Sequence, residues 1–217
     1  MKMKKRLWAA VGLLLLFGIW TCAVSVVDVQ PIGPEGSSVG LAAMNGFVHQ
    51  RTGVHFSLYT VTDWLGLVPV AFGLGFAVLG LMQWVKRRHI LRVDHSLLVL
   101  GVFYIIVIAA YLLFEMYPIN YRPTLIEGRL EASYPSSTTL LVLCVMPTAL
   151  LQLRNRIRCV VCRKIICTAI AIFTAFMVIG RLVSGVHWVS DIIGGALLSA
   201  GLVTLYSFVC AAVNQKK

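Results

Sequence analysis

An arginine, a histidine and an aspartate stand close together in the last sixth of the chain, at Arg181, His187 and Asp191. Apolar runs flank them, and ionisable groups at such a boundary are costly and usually functional. His187 and Asp191 are four residues apart, so on a helix they share a face. Asp191 can then accept a hydrogen bond from Nδ1–H of His187 and leave the Nε2 lone pair free. Arg181 has a forked, permanently charged head that suits a phosphate or carboxylate, so the trio predicts a histidine aimed at a bound anion.

The composition places these residues in a membrane protein. Of 217 residues, 59% are hydrophobic and 12% are charged, with a mean hydropathy of +0.88, whereas soluble domains carry about 25% charged residues. Apolar runs of spanning length predict an all-α integral membrane protein, one six-transmembrane-helix bundle over residues 1–217. The predicted spans are residues 7–27, 64–85, 96–114, 137–153, 165–182 and 188–209. The first run is longer than the apolar core of a signal peptide, so we expect it to remain as a span.

The basic residues predict the orientation of the bundle. With the N- and C-termini in the cytoplasm, fifteen of the nineteen lysines and arginines fall in cytoplasmic segments, where short loops retain positive charge. The net charge of +11 therefore reflects topology, and we expect membrane lipids rather than nucleic acid as partners. The polar segments 115–135 and 181–191 fall on the opposite side. This predicts a multi-pass protein of the cell membrane with one extracytoplasmic site.

The polar connection between the first two spans covers residues 28–63, and its part from residue 39 to residue 49 predicts a short interfacial helix. Four polar residues of this connection lack a recognisable spacing and are interpreted as solvated: His49, Arg51, His55 and Asp63. The Cys159-x-x-Cys162 pair supplies half of a four-ligand zinc site. We therefore predict free thiols and no metal.

The fourth predicted span begins with Pro135, Ser136, Ser137 and Thr138. Proline followed by hydroxyl residues is typical of a helix start, and the free N–H groups and dipole of such an end attract anions. Taken alone, the serines indicate an ordinary cap, and Arg122 indicates a solvated loop charge. Their convergence with Arg181 and His187 on one membrane face favours Arg122, Ser136 and Ser137 as ligands of the same anion.

These residues resemble the signature motifs of the type-2 phosphatidic acid phosphatase superfamily. Arg181-x5-His187-x3-Asp191 is similar to the third signature, S-R-x5-H-x3-D, with Gly180 in the place of the usual serine. The segment 135–138 looks like the second signature, P-S-G-H, and the segment 121–123 looks like the end of the first, K-x6-R-P. The order of the motifs and their placement on a six-span bundle also agree with the family.

The resemblance implies a lipid phosphatase that needs no metal and no cofactor. It implies that His187 attacks phosphorus to form a phosphohistidine and that Asp191 orients it. The phosphate oxygens are then held by Arg122, Ser136 and Arg181. The substrate would be a lipid phosphate or diphosphate, and we take an undecaprenyl-diphosphate-type carrier as the first expectation. The sequence indicates no oligomeric state.

Two positions depart from the family pattern. Thr138 stands where the family has its general acid, a histidine, and Glu115 stands where it has a lysine. A diphosphate substrate does not need that acid, because its leaving group is a phosphate monoester with a second pKa near ~6. Otherwise another acid on the same side replaces it, and the candidates are Glu115, Glu127, Glu131, His49 and His55. Two further interpretations stay open: a lipid-phosphate binding or transport protein without hydrolysis, and a lipid phosphotransferase.

Overall fold

A computed structural model describes residues 2–215, so Met1 and the terminal Lys216 and Lys217, predicted to be cytoplasmic, lie outside the described residues. The described part forms eight α-helices: α1 Lys2–Val26, α2 Ala42–Thr52, α3 Phe56–Leu65, α4 Leu67–Arg87, α5 His95–Met116, α6 Ser137–Arg156, α7 Val160–Val183 and α8 Val189–Gln215. Two short 3-10 turns, Pro34–Gly36 and Ile90–Arg92, complete the order. The chain is therefore helical, as predicted.

Six helical stretches in the described residues are long and apolar enough to cross a membrane: Met3–Val26, Phe56–Arg87, His95–Met116, Ser137–Arg154, Val160–Val183 and Val189–Val213. This number confirms the predicted architecture. Their outer faces expose apolar side chains, including Leu15, Ile105 and Ile172, each more than 60% exposed. Because apolar surface of this extent is unfavourable in water, these faces suit the hydrocarbon core of a bilayer.

All six observed stretches are longer than the predicted spans, and the second and the fifth differ most. The second begins at Phe56, because α3 continues almost directly into α4 and only Gly66 separates them. Residues 56–63 are therefore helical rather than a polar connection. The fifth stretch was predicted to be short, but α7 contains 24 residues and begins at Val160. Its first turns carry Arg163 and Lys164, whose long side chains can reach the membrane surface while their stems stay apolar.

Helix α8 is the packing centre of the bundle, since it lies against α1 and α6. Small residues permit this close approach. A Cβ atom at Gly201 would lie 2.7 Å from Leu14 of α1, and a Cβ atom at Gly194 would lie 2.6 Å from the ring of Tyr134. The core formed by α4, α5, α6 and α8 is apolar and includes Phe76, Leu100, Phe103, Leu140, Leu202 and Tyr206.

Three connections meet at one end of the bundle, which we call the site end: residues 27–55, 117–136 and 184–188. The amide of Gly40 donates to Asn120 Oδ1 at 3.1 Å, and the amide of His55 donates to the Ser184 carbonyl at 2.9 Å. The indole of Trp188 donates to the Tyr121 carbonyl at 2.7 Å. These bonds join segments far apart in sequence, so the site end is a packed layer rather than a set of free loops.

Helix α2, which the sequence predicted slightly earlier in the chain, belongs to this layer. Its Asn45 is fully buried. The Asn45 Oδ1 atom accepts from the amide of Ser190 at 3.1 Å, and its Nδ2 group donates to Ser190 Oγ at 2.9 Å. Because Ser190 lies in the first turn of α8, where amides lack helical partners, Asn45 caps the helix that carries Asp191.

The connection between α5 and α6 folds back on itself as a small hairpin. Tyr121 pairs with Ala132 and Ile126 with Arg129 in antiparallel bridges. The two residues between Ile126 and Arg129 have positive φ angles, 50° at Glu127 and 74° at Gly128. Two consecutive residues of this kind form the tight turn that joins twisted antiparallel strands. The hairpin places Arg122 opposite Glu131.

Candidate active site

His187 lies in the short connection between α7 and α8, and Asp191 lies in the first turn of α8. Both are buried, with 3% and 0% of their surface exposed. The His187 Nδ1 atom is 3.7 Å from Asp191 Oδ2, and that carboxylate oxygen accepts a hydrogen bond from the Trp188 amide at 2.9 Å. The two residues are thus adjacent, as their spacing predicts, but the Trp188 amide is the nearer partner of Oδ2.

The environment of His187 favours a neutral imidazole. Burial lowers its pKa well below the ordinary value for histidine, and the charges of Arg122 and Arg181 lower it further. The neighbouring backbone of Ser133 acts in the opposite sense. Among the described residues, neither ring nitrogen has a hydrogen-bond partner. A neutral ring keeps a lone pair on one nitrogen, which a nucleophile or a base requires.

Arg181 occupies the last turn of α7 and is 1% exposed. Its Nη1 group donates to Thr62 Oγ1 at 3.5 Å and lies 3.6 Å from Asp63 Oδ1. Asp63, which the sequence suggested was solvated, therefore pairs with this buried arginine, although 58% of its side chain stays exposed. Because a buried charge needs a partner, Asp63 and Thr62 of α3 hold Arg181 in place.

The close packing of α3 on α7 also explains Gly180. A Cβ atom at this position would lie 2.8 Å from Thr62 Cγ2, which is too close unless the Thr62 side chain shifts. A serine at position 180, usual in the resembling signature, would therefore displace Thr62 and weaken its contact with Arg181. Glycine at this position follows from how closely α3 approaches.

Arg122 lies on the hairpin and is 8% exposed. Its Nε atom forms an ion pair with Glu131 Oε2 at 3.0 Å, and its amide donates to the Glu131 carbonyl at the same distance. Within the described part of the chain, the Nη1 group of Arg122 and the Nε group of Arg181 are buried without hydrogen-bond partners. Buried donors of this kind are costly unless they are satisfied, so both arginines keep donors for an anion.

Tyr59 of α3 links the two arginines. The guanidinium carbon of Arg181 lies 4.9 Å from the centroid of the Tyr59 ring, and that of Arg122 lies 5.8 Å from it. Both distances are within the range of a cation–π attraction. One ring thus contacts two like charges from different elements. Tyr59, Thr62 and Asp63 share one face of α3 by their i, i+3, i+4 spacing, and this spacing is the sequence signal that could have revealed them.

One of the two predicted serine ligands, Ser136, has a structural role. Ser136 is fully buried, and its hydroxyl accepts from the Thr139 amide at 3.5 Å as the N-cap of α6. The Ser136 amide donates to the Asp191 carbonyl at 3.1 Å. Ser136 therefore fixes the start of α6 against α8, and its amide already donates its hydrogen bond to the Asp191 carbonyl. Ser137, one residue later, lines a cavity instead.

A cavity of about 250 Å³ opens beside Arg122. We call it the charged cavity, because its lining includes Glu115, Arg122 and Glu131 together with Ser133 and Ser137. His187 and Arg181 do not belong to this lining, and the His187 ring neighbours the backbone of Ser133, which does. A phosphate that enters the cavity meets Arg122 beside Glu131, whose carboxylate pairs with the Nε atom, whereas the buried Nη1 group has no hydrogen-bond partner among the described residues.

The five residues that could replace the missing general acid lie at different places in the structure. Glu115 and Glu131 line the charged cavity, whereas Glu127 forms the hairpin turn. His55 Nε2 lies 2.9 Å from the Thr52 carbonyl. The His49 ring packs on Trp188 with centroids 5.3 Å apart, and its Nδ1 atom has no hydrogen-bond partner among the described residues. Glu115 and Glu131 are therefore the two of the five that line the charged cavity.

Two further residues of the site were not predicted from the sequence. Asn120 is 1% exposed and Ser133 is 2% exposed, and both lie next to the Asp191 carboxylate. The Ser133 amide donates to the Asn120 carbonyl at 2.9 Å. They sit at the base of the hairpin, so folding of the hairpin brings Arg122, Ser133 and Asn120 to the site together.

The bundle defines the class as a helical, multi-pass membrane protein, and its buried arginine–histidine cluster lies at one end. Residues 114–214 match the family model described as the PAP2 superfamily, which confirms the resemblance found in the sequence. The fold is similar to the crystal structure of a transmembrane PAP2 type phosphatidylglycerolphosphate phosphatase from Bacillus subtilis. The TM-score is 0.60 and the identity 20%, over 96% of this chain and 97% of the other. No curated protein sequence matches the chain.

Proposed function

We propose that this protein is a lipid phosphatase that hydrolyses a phosphate or diphosphate ester of a membrane lipid through a phosphohistidine at His187. The observation that carries the proposal is a buried imidazole, kept neutral beside two buried arginines that retain unpaired donors. The match of residues 114–214 to the PAP2 superfamily supports the reaction class. The similar fold from Bacillus subtilis is that of a phosphatase, which supports the reaction class further.

In the first step, the lone pair of His187 Nε2 attacks the terminal phosphorus, and the bond from this phosphorus to the leaving oxygen breaks. The leaving oxygen is the ester oxygen of a lipid monophosphate or the bridging oxygen of a lipid diphosphate, and it keeps the electron pair of the bond. Arg122 and Arg181 stabilise the charge on the phosphoryl oxygens, and preorganised donors in a dry site are effective in this role. Asp191, 3.7 Å from the ring, stabilises the imidazolium character that develops. In the second step, water attacks the phosphohistidine and releases phosphate.

The leaving group decides whether the first step needs a proton donor. An alkoxide needs one, and general acid catalysis contributes roughly 10²–10⁴-fold in rate. A diphosphate substrate needs none, which is why an undecaprenyl-diphosphate-type lipid is our preferred substrate. For a monophosphate, Glu115 or Glu131 would have to donate the proton, because these acids line the charged cavity.

We place the site on the extracytoplasmic face of the cell membrane. The support is the charge distribution, with fifteen of nineteen basic residues assigned to the opposite side, since short cytoplasmic loops retain lysine and arginine. The substrate is then reached from the outer leaflet.

A second function, binding of a lipid phosphate without hydrolysis, is favoured by one observation: no histidine occupies the acid position, and Thr138 does not line the charged cavity. Transfer of the phosphoryl group to a lipid acceptor shares the first step, because the acceptor only replaces water in the second.

The test is phosphate release by detergent-purified protein in EDTA, with a lipid diphosphate and a lipid monophosphate offered separately. We expect His187→Gln to abolish release while the protein elutes normally in size-exclusion chromatography. His89→Gln, at the opposite end of the bundle, is the matched control and should behave like the wild type. Turnover of the His187→Gln variant at the wild-type rate would reject the mechanism. Lipid binding without release by the wild type would favour the binding function.

A further inference from the structure

Another cavity, which we call the basic cavity, lies at the end of the bundle opposite the candidate active site. Its volume is about 510 Å³, within the roughly 300–1,000 Å³ typical of a ligand site. Four helices contribute to its lining: α1 with Arg6, α5 with Ser96, α6 with Arg154 and α8 with Cys210. These residues lie near the starts of α1 and α5 and near the ends of α6 and α8. The cavity is therefore remote from the connections that form the site end.

The charge of the basic cavity lacks a partner within the described part of the chain. Its lining contains Arg6 and Arg154 from two different helices and no acidic side chain, and neither arginine forms an ion pair with another described residue. Of the eight acidic residues in the sequence, only Asp94 lies at this end of the bundle. Asp94 already pairs with Arg87 and Arg156. The two arginines of the cavity thus suit an anion supplied from outside the chain.

Buried polar side chains form one wall of the basic cavity. Gln152 and Tyr206 both line it, and each is 3% exposed. The Gln152 Nε2 group donates to the Tyr206 hydroxyl at 2.6 Å and to the Ser96 carbonyl at 3.0 Å. Tyr206 accepts that bond, so its own proton remains available for the neighbouring Cys210 thiol or for a ligand oxygen. Because these bonds join α5, α6 and α8, three helices hold the polar wall in place.

The depth of the basic cavity corresponds to the headgroup region of one membrane leaflet. Ser96 is the second residue of its spanning stretch, Arg154 is the last residue of another, and Arg6 is the fourth residue of the first. Along α8 the lining runs from Cys210 back to Val203, a distance of about 10 Å at the helical rise per residue. The arginines are thus at the membrane surface and Val203 is deeper, which matches the polarity of a phospholipid at this level.

We propose that the basic cavity binds the phosphate headgroup of an anionic phospholipid from the leaflet opposite the candidate active site. Guanidinium groups pair well with phosphate oxygens, and basic pockets between spanning helices suit anionic headgroups. A zwitterionic headgroup is disfavoured, because its ammonium group would meet two arginines in a lining without a carboxylate. The bound lipid would connect α1 with α6 and α8, and its binding does not require the proposed hydrolysis.

The position of the two arginines distinguishes this site from the general excess of basic residues at this end. Such an excess is usual, because short loops retain lysine and arginine. Lys5 and Arg158 belong to it, since both are exposed and neither lines the basic cavity. Arg6 and Arg154 instead line one space that has a buried polar wall. A general attraction for anionic lipid depends equally on either pair, whereas a specific site depends on the second.

The test measures binding of dioleoyl phosphatidylglycerol to the purified full-length protein by native mass spectrometry, with dioleoyl phosphatidylcholine as the zwitterionic comparison. The Arg6→Gln/Arg154→Gln double variant removes both charges of the cavity. The matched control, Lys5→Gln/Arg158→Gln, removes two charges from the same end outside the lining. Ser207→Phe fills the cavity without changing its charge, because Ser207 belongs to the lining. Thermal unfolding without added lipid identifies any variant that does not fold.

We expect the wild type and the control variant to bind the phosphatidylglycerol about tenfold more tightly than the phosphatidylcholine. The Arg6→Gln/Arg154→Gln variant should lose about tenfold or more in affinity for the anionic lipid, since a hydrogen bond to a charged group contributes about this much. Ser207→Phe should show a similar loss. Inorganic phosphate and glycerol 3-phosphate, added separately at the concentration of the lipid, should not displace it.

An equal loss in the control variant would show a general attraction to basic segments and would overturn the proposal. Unchanged binding in the folded cavity variants would also reject it. A loss in Arg122→Gln alone would assign the bound lipid to the charged cavity instead. Displacement by inorganic phosphate or glycerol 3-phosphate would replace the lipid with a soluble anion. These outcomes do not depend on hydrolysis, because His187→Gln should bind the phosphatidylglycerol at the basic cavity like the wild type.

Discussion

The contact of one aromatic ring with both arginines predicts a specific effect of replacing Tyr59. The Tyr59→Leu substitution keeps an apolar side chain but removes the attraction for both guanidinium groups. A cation–π contact contributes about 0.5–1 kcal/mol at an exposed position and about 2 kcal/mol when desolvated. The Arg181 contact is of the desolvated kind, because that side chain is 1% exposed, whereas the Arg122 contact at 5.8 Å is near the outer limit.

We therefore expect Tyr59→Leu to lower the free energy of unfolding by up to about 2 kcal/mol. KM should rise severalfold, because both guanidinium groups lose a contact that fixes their position. The effect on kcat should be smaller, because the ring contacts the arginines and not His187. Tyr59→Phe keeps the ring and should retain nearly wild-type values. Steady-state phosphate release and inhibition by orthovanadate, a phosphate analogue, give KM, kcat and an inhibition constant for each variant.

The reasoning fails if Tyr59→Phe loses as much as Tyr59→Leu, since the hydroxyl would then be the important group. It also fails if Tyr59→Leu folds and keeps the wild-type KM. A loss confined to kcat in both variants would instead identify the phenol as a proton donor.

Two further predictions concern the charges around His187. Glu131→Gln removes the carboxylate that competes for Arg122, so orthovanadate should bind severalfold more tightly, and weaker binding would show that Glu131 supports the site. Because burial and the arginines lower the pKa of His187, its neutral form should persist below pH 6.5, and phosphate release should fall only at more acidic pH. Arg122→Gln removes one of these charges and should move the acidic limb of the pH profile upwards; an unchanged limb would contradict this assignment.

The same pKa shift has a consequence for stability. In the unfolded chain His187 would take up a proton near its ordinary pKa of about 6.5, whereas the folded protein resists protonation at this site. The unfolded state then binds more protons, so stability is lost as the pH falls from about 6.5 towards the lower folded pKa.

The membrane-spanning helices were largely predictable because hydropathy over about 20 residues is a local property. Helix α3 was the exception. Its residues 56–63 mix polar and apolar types, because one face of the helix carries Tyr59, Thr62 and Asp63 to the arginines. A polar face that serves a buried site has the same composition as a solvated connection, so hydropathy alone did not separate them.

The candidate site was predictable where its residues are close in sequence. The spacing of Arg181, His187 and Asp191 placed them together, and the structure brings Arg122 to the same end of the bundle. The contacts of Asn45 with Ser190 and of Gly40 with Asn120 cross 145 and 80 residues. Such pairs leave no periodic pattern, because they depend on how the helices are arranged rather than on any one helix.

The direction in which each side chain points at the start of α6 could not be predicted from the sequence either. Ser136, Ser137 and Thr138 are consecutive, yet Ser136 caps α6, Ser137 lines the charged cavity and Thr138 does not. Successive residues of a helix point about 100° apart. Which of them faces an anion therefore depends on the rotation of α6, which is set by its packing on α8.

The central claim, a covalent phosphohistidine at His187, is tested most directly by trapping the intermediate. The purified protein is mixed with a lipid diphosphate radiolabelled in its terminal phosphate, denatured within the first turnover, and divided between acid and alkali. We expect label that survives alkali and is lost in acid, as for a phosphorus–nitrogen bond, and that is absent from His187→Gln but present in His89→Gln. Rapid phosphate release with no protein-bound label, or label retained in His187→Gln, would contradict the mechanism.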